Sequence, residues 1–206
     1  MEIFNRKNHW ENIYDTKALE EVSWYQPTPE TSLEFIKNLN LEKDAAIIDI
    51  GGGDSLLVDF LLNLGYTNIS VLDISEKAIE RAKERLGEKA GMVKWIVSDI
   101  TRFNPSEKYD VWHDRAAFHF LISEEDISAY LEITGKAVKE NGHLFIGTFS
   151  ENGPKKCSGI EIRQYSEDSL NDTFGPEFQK INCFKVDHKT PFDTFQNFVF
   201  CSFQKK

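Results

Sequence analysis

Between Ala45 and Phe149 the chain alternates short apolar runs with stretches of helical period. Ala45-Ala46-Ile47-Ile48-Asp49-Ile50 is almost continuously apolar, as expected of a strand covered on both faces. Leu56, Leu57, Phe60, Leu61 and Leu64 then recur at every third or fourth position, and Gly65 is placed to close that helix. Ile69 to Asp73 predicts a second strand, and Ser75 is an N-cap for a helix through Leu86, stopped by Gly87. Met92–Val97, Tyr109–His113 and His143–Phe149 predict three more strands. A helix precedes the last of them, running from Ser123 to about Glu140, where Asn141-Gly142 stops it. Ser123 with Asp126 three residues on approximates a capping box.

Strands separated by helices imply right-handed crossovers and a parallel sheet with helices on both faces. The C-terminal part departs from that rhythm. Phe178–Asp187 and Phe195–Phe203 are long, aromatic-rich runs joined by His188-Lys189-Thr190-Pro191, which reads as an antiparallel hairpin. Ahead of the alternating part, Thr28-Pro29-Glu30 starts a helix through Asn38, with proline at its first turn. No repeat or linker interrupts the chain, and its 206 residues fit one domain.

Composition narrows the function. Lys and Arg number 24 against 34 Asp and Glu, a net charge of −10, and basic residues form no stripe. A phosphate-backbone binder needs clustered cations, so nucleic acid is not an expected partner. No run approaches the ~18 apolar residues of a membrane span. Met1-Glu2-Ile3-Phe4-Asn5-Arg6-Lys7 leads into no apolar signal core, so a soluble, cytoplasmic protein is expected. Cys157, Cys183 and Cys201 are few, odd in number and far apart; neither a disulfide framework nor a metal site is expected.

The informative segment is Ile47-Ile48-Asp49-Ile50-Gly51-Gly52-Gly53-Asp54-Ser55. A strand ends, three glycines turn the chain and a helix begins. Glycine lets the backbone approach a ligand closely, and the free N–H groups at a helix start favour an anionic group. A tight turn with no ligand is the plainer alternative. Leu56 occupies the third glycine position of a GxGxxG dinucleotide loop, and the Gly-Lys-Ser/Thr of a phosphate loop is absent. Two further acids fall at strand ends, Asp73 before Ile74 and Asp99 before Ile100. In an open parallel sheet ligands sit at the carboxyl ends of the strands. A carboxylate there can accept from ribose hydroxyls, and another from the exocyclic amine of adenine. Each acid alone could equally cap a helix.

With these elements the sequence resembles the class I S-adenosylmethionine-dependent methyltransferases over nearly its whole length. The resemblance implies a Rossmann-like, mostly parallel seven-stranded α/β sheet of order 3-2-1-4-5-7-6, its reversed last strand formed by the C-terminal hairpin. It also implies a cofactor, S-adenosyl-L-methionine, leaving S-adenosyl-L-homocysteine as product. Asp49, Gly51, Gly52 and Gly53 would hold the methionine end, Asp73 the ribose, Ile74 an adenine face, and Asp99 with Ile100 the adenine edge. Ser55 departs from the family's frequent glycine. The chain then divides into a helical lid segment (1–40), a cofactor-binding core (45–149) and an acceptor-side segment with the hairpin (150–206).

Residues after the fourth strand, His113, Asp114, Arg115 and His119, would face the transferred methyl group, with Asp114, Arg115 and His119 the catalytic candidates and His113 also beside the cofactor. The Asp-Arg pair and the N-terminal Trp-Tyr-Gln resemble thiopurine and halide/thiol methyltransferases and, less closely, small protein-lysine methyltransferases. Mutual pairing of Asp114 with Arg115, and a core-packed His119, are the structural alternatives. Trp10, Tyr14, Trp24, Tyr25 and Gln26 suit a lid that excludes water and offers aromatic faces to a cationic sulfur, with Trp10 and Tyr25 the cofactor contacts; for Trp10, packing on the sheet is the alternative. Cys157 is read as an incidental thiol. The expected activity is methyl transfer to a small-molecule nucleophile. Protein-lysine methylation, with a basic protein as partner, and a non-catalytic cofactor-binding module are the rivals. A nicotinamide dehydrogenase ranks last, for want of the third glycine.

Overall fold

The computed structural model describes residues 4–206, so Met1, Glu2 and Ile3, which open the lid segment and the stretch read as lacking a signal, lie outside the described residues. Seven strands form the main sheet: β1 (Ile47–Ile50), β2 (Ile69–Asp73), β3 (Val93–Val97), β4 (Tyr109–Arg115), β5 (Val138–Phe149), β8 (Phe178–Lys189) and β9 (Phe195–Lys205). Two-residue strands β6 (Lys156–Cys157) and β7 (Ile160–Glu161) make a separate small hairpin. The sheet order is 3-2-1-4-5-9-8. Leaving out the small hairpin, that is the expected 3-2-1-4-5-7-6. β1 to β5 pair in parallel, and β9 runs antiparallel between β5 and β8.

Helices α1 (Arg6–Thr16), α2 (Glu30–Asn38), α3 (Leu57–Asn63), α4 (Glu76–Leu86), α5 (Glu124–Ala137) and α6 (Glu167–Phe174) surround the sheet. All four β1 residues are buried, as a continuous apolar run requires. One core layer joins Ile47, Val71 and Val111 to Leu33, Ile36, Leu57 and Leu61; the other joins Ile48, Ile50 and Trp112 to Ile127, Tyr130 and Phe174. Side chains therefore alternate between the two layers along β1 and β4, and this period decides where the site residues point.

Local signals mostly act as expected. Ser75 Oγ accepts from Ala78 N and Ser123 Oγ from Asp126 N, while Gly65 and Gly87 take positive φ after their helices. Three elements differ. β4 continues to Arg115, so Asp114 and Arg115 belong to the strand and do not follow it. α5 ends at Ala137, because buried Val138 leaves the helix to pair with Tyr109; Asn141, at φ +62°, then bends the strand back into register at His143. Cys183 and Cys201 are direct cross-strand partners in β8 and β9 and are joined by a disulfide, with Cα atoms 4.2 Å apart. Their wide spacing in sequence hides a register that only the hairpin creates. The expectation that the cysteines form no disulfide is corrected by this pair, while Cys157 stays free. No described helix is long and apolar enough to cross a membrane.

Candidate active site

The glycine turn follows β1 directly. Gly51 takes φ +65°, and its N–H and that of Gly52 both donate to the Leu72 carbonyl, at 2.8 and 3.2 Å. Each glycine is required by a different neighbour. A Cβ on Gly51 would stand 2.7 Å from Ala117 Cβ, one on Gly52 2.5 Å from an Asp49 carboxylate oxygen, and one on Gly53 2.5 Å from an Asp73 oxygen. The turn is thus pressed against two of the three strand-tip acids, a close approach that only glycine permits. The helix itself starts at Leu57, with Ser55 Oγ accepting from Leu57 N at 3.1 Å.

Asp49 is 3% exposed and is held by His113, its direct partner on β4. His113 Nδ1 lies 2.7 Å from Asp49 Oδ1, and Nε2 lies 2.7 Å from Ser32 Oγ on α2. With Asp49 accepting, Nδ1 carries the proton, so the imidazole ties β1 to α2 and fixes the carboxylate beneath Gly52. Ser32 gave no sign of itself in the sequence beyond its position on the inner face of α2.

Asp73 ends β2, and Ser75 N donates to its Oδ1 at 2.8 Å. Burial pushes its carboxyl up to about 7, working against the donations from Ser75 and Gly53. Asp99 follows β3 and accepts from the Thr101 N–H and hydroxyl at 3.0 and 2.8 Å. Its other oxygen is 3.2 Å from Arg6 Nη2 on α1.

At the β4 tip the strand period separates Asp114 from Arg115. Asp114 turns to the α5 side and accepts from Ala117 N, Phe118 N and Tyr130 Oη at 2.9, 3.1 and 2.7 Å. Fully buried there, its carboxyl is raised to about 6 despite those three donors. Arg115 turns to the opposite side, so the two do not pair. Nη1 donates to the Trp24 carbonyl at 3.1 Å, and the guanidinium lies 5.1 Å from the Phe198 ring centre. Next to it Ala116, at φ +69°, bends the chain so that Ala117 meets Gly51. His119 is fully buried: Phe149 N donates to its Nδ1 at 3.3 Å, and burial, with the nearby Arg115 charge, lowers its pKa to about 3. The ring is neutral at pH 7 with its basic nitrogen already engaged. Burial raises the Cys157 thiol to about 11, which keeps it protonated.

A cleft runs along these strand tips, the place where open α/β sheets hold their ligands. Asp99, Ile100, Asp73, Ile74 and Gly51 line one half, from β3 to β1; Arg115, Phe149, Cys157 and Phe198 line the other, from β4 to β9. Trp10, Tyr14, Trp24 and Phe120 cover it. Trp10 meets Trp24 and Phe120 edge to face, at 5.8 and 4.9 Å, so the ring that could have packed on the sheet forms the roof. A second pocket under the glycine turn brings Asp49, Gly52, His113, Tyr25 and Gln26 together and meets the first at Arg115. Asp114 and His119 line neither pocket.

The roof is latched by residues the sequence did not single out. Arg6 bridges Asp99 and Asp126, so Asp126 does not return to Ser123 as a capping box would have it. Glu11 accepts from Ser75 Oγ and from the backbone of Glu76 and Lys77 at the start of α4. Arg81 donates to the carbonyls of Tyr14 and Lys17 at the end of α1. These contacts join positions more than 60 residues apart, beyond any local pattern.

Acids at two adjacent strand tips, a glycine turn and two isoleucines in one aromatic-roofed cavity, with Asp49 in the pocket that adjoins it, fit an adenosyl group joined to a cationic sulfur. Comparison with known proteins agrees. A family model described as a methyltransferase domain matches residues 48–144. Malonyl-[acyl-carrier protein] O-methyltransferase 2 of Ilyobacter polytropus is 29% identical over 107 residues, 52% of this chain and 40% of that protein. The eEF1A lysine and N-terminal methyltransferase of Mus musculus is 26% identical over 171 residues, 78% of this chain and 24% of that protein. The chain thus spans less than half the length of these relatives. Among solved structures, the N-methyltransferase NodS from Bradyrhizobium japonicum with bound S-adenosyl-L-homocysteine superposes with a TM-score of 0.73, at 14% identity, covering 98% of this chain and 99% of that one. The structure reported for conversion of a disulfide into a thioacetal in echinomycin biosynthesis gives 0.78 at 18% identity, covering 97% and 93%.

Proposed function

Because the chain belongs to the class I S-adenosylmethionine-dependent methyltransferases, we propose that it transfers a methyl group to a small-molecule nucleophile held at the β4–β9 end of the cavity. The chemistry supplied by the bound cofactor is a methyl group carried on a sulfonium, given up by in-line displacement with S-adenosyl-L-homocysteine left behind. In this reading Asp73 accepts from the ribose hydroxyls, and Asp99 with Ile100 and Ile74 takes the adenine. Gly51, Gly52, Gly53 and Asp49, with Tyr25 nearby, take the methionine end. His113 is a positioning residue, since both its nitrogens are spent on Asp49 and Ser32. Asp114 positions the turn that carries Ala117, and His119 braces β5. Neither reaches the reacting atoms, so of the three catalytic candidates only Arg115 faces the acceptor.

Trp10, Trp24 and Phe120 exclude water above the reacting centre, which strengthens every electrostatic contact inside and fixes the line of approach. Among the described residues no free base stands at the acceptor end: His119 is neutral and engaged, and Cys157 is a protonated thiol. Such a site suits an acceptor that reaches it already deprotonated.

The observation that carries the small-molecule reading is the depth of the acceptor end, where Phe149, Cys157 and Phe198 are 1, 6 and 0% exposed. A wall of buried side chains favours a compact acceptor over a polypeptide laid along the surface. Protein methylation is the second reading, favoured by the mouse relative that acts on eEF1A and aligns over 78% of this chain. Incubating the protein with tritiated S-adenosylmethionine and a cell lysate, then separating small molecules from protein, tests the first against the second. Label in the small-molecule fraction is expected; label confined to protein bands would reverse the ranking. Calorimetry showing no S-adenosyl-L-homocysteine binding would overturn both and leave no cofactor-binding module either.

A further inference from the structure

Arg115 is the one feature of the cavity that the cofactor reading leaves unexplained. Its Nη1 is engaged by the Trp24 carbonyl, yet Nε and Nη2 are buried and have no hydrogen-bond partner among the described residues. Among the described residues no carboxylate lies within 4.0 Å of it, whereas Arg6, Arg81 and Arg85 are all paired. A buried guanidinium with no directly paired carboxylate is costly, and the more distant Asp49 charge offsets this only in part. The two idle nitrogens also have a geometry of their own. Nε–H and the adjacent Nη2–H point the same way, forming the side-on fork that takes both oxygens of a carboxylate. The third nitrogen, which could have broken that fork, is the one tied down.

Position indicates which carboxylate. Arg115 stands at the β4 tip, at the boundary between the half of the cavity assigned to the cofactor and the half walled by Phe149 and Phe198. It leans toward β9, with its guanidinium 5.1 Å from the centre of the Phe198 ring. Resting on the cofactor reading above, we propose that the Arg115 fork binds a carboxylate on the methyl acceptor, so that the substrates are small carboxylates with an apolar body. The apolar body would lie between Phe149, Phe198 and Phe120, with the nucleophile directed toward the glycine turn. Burial lowers the Arg115 pKa only to about 10, so the fork is charged at neutral pH.

The test uses benzoate and its neutral isostere benzamide, titrated by ligand-observed NMR into the protein loaded with S-adenosyl-L-homocysteine. Benzoate is expected to bind at least tenfold more tightly than benzamide. Arg115→Lys keeps the charge and loses the fork, so benzoate affinity should fall about 10–100-fold, the range for charge-assisted hydrogen bonds. Affinity for S-adenosyl-L-homocysteine should stay within about threefold. In the unsubstituted protein, benzoate should also move the Arg115 Nε–H resonance downfield, a readout that does not depend on the variant folding. Equal binding of benzoate and benzamide, with no movement of that resonance, would overturn the proposal. So would a tenfold loss of S-adenosyl-L-homocysteine affinity in Arg115→Lys with benzoate unaffected, because the fork would then hold the cofactor's own carboxylate. Failure of the cofactor reading is separately visible: the protein would not load, while the unloaded protein would still prefer benzoate to benzamide.

Discussion

Replacing Asp73 by asparagine isolates the group on which the cofactor reading most depends. Burial raises this carboxyl from its ordinary 3.8 to about 7. Between those values the folded protein keeps a proton that the unfolded chain has released. Stability contributed by this group therefore falls as pH rises, by about 1.4 kcal/mol per unit over roughly three units, or about 4 kcal/mol in all, and is level above pH 7. Asparagine keeps the shape and does not titrate. It cannot accept from both Ser75 N and Gly53 N, and the donor left over costs about 1–3 kcal/mol. Without ligand, Asp73→Asn should be near parity with the unsubstituted protein at pH 5 and more stable by about 1–3 kcal/mol at pH 8. Urea unfolding at several pH values measures the difference. Ligand affinity should move the opposite way, because ribose hydroxyls donate to the ionised carboxylate. S-adenosyl-L-homocysteine should bind the unsubstituted protein more tightly as pH rises toward 7, up to tenfold per unit, and then level off. The asparagine variant should bind at least tenfold more weakly at pH 8. A stability difference that is the same at pH 5 and pH 8 would refute the reasoning, since it would mean that Asp73 does not change its protonation in this range.

Gly53→Ala would drive a methyl group to 2.5 Å from an Asp73 oxygen and 2.7 Å from Ala78 Cβ, so calorimetry should show S-adenosyl-L-homocysteine affinity down more than tenfold in a chain that still folds. Ser32→Ala strands His113 Nε2 in the core and should lower unfolding free energy by about 1–3 kcal/mol, read by denaturant titration. Arg6→Ala removes a partly exposed pairing with Asp99 and Asp126 worth about 1–2 kcal/mol, so hydrogen exchange should show α1 amides losing about 5–30-fold protection while β1 and β4 amides are unchanged.

The strands and the strand-tip acids could be read from the sequence because their signals are local, whereas the sheet order came with the family resemblance. A continuous apolar run, a cap or a glycine turn is complete within a few residues. β1, the turn after it, Asp73 and Asp99 stand where that reading put them. What escaped it depends on contacts or on phase. Extending β4 by two residues changed nothing in its hydrophobic pattern, yet it put Asp114 and Arg115 on opposite faces of a strand. Their adjacency in sequence suggested a pair; in a strand adjacency guarantees separation. His119 reads as a catalytic type, but whether a histidine titrates depends on burial and on its partner, here the amide of Phe149 thirty positions away. The Cys183–Cys201 disulfide likewise depends on hairpin register, which cysteine count cannot supply.

The roof over the cavity follows a different logic from the core beneath it. No residue of α1 is buried, so this helix is not fixed by the apolar stripe that holds α2 or α3. Beside the edge-to-face contacts of Trp10 and Tyr14, its attachments are charged or polar and fall at its two ends and its middle: Arg6 on Asp99 and Asp126, Glu11 on the start of α4, and Arg81 on the carbonyls of Tyr14 and Lys17. Two of these reach residues directly beside the proposed ligand contacts, Asp99 itself and Ser75, which donates to Asp73. An element held by partly solvated ion pairs opens at lower free energy than one held by buried apolar area, and added salt loosens it further. Because Trp10 and Tyr14 belong to α1 and line the cavity, loosening these contacts would widen it without unpacking the sheet. The latches of α1 thus reach residues that flank Asp73 and Asp99, whereas Arg115, Phe149 and Phe198 stand on strands of the sheet itself.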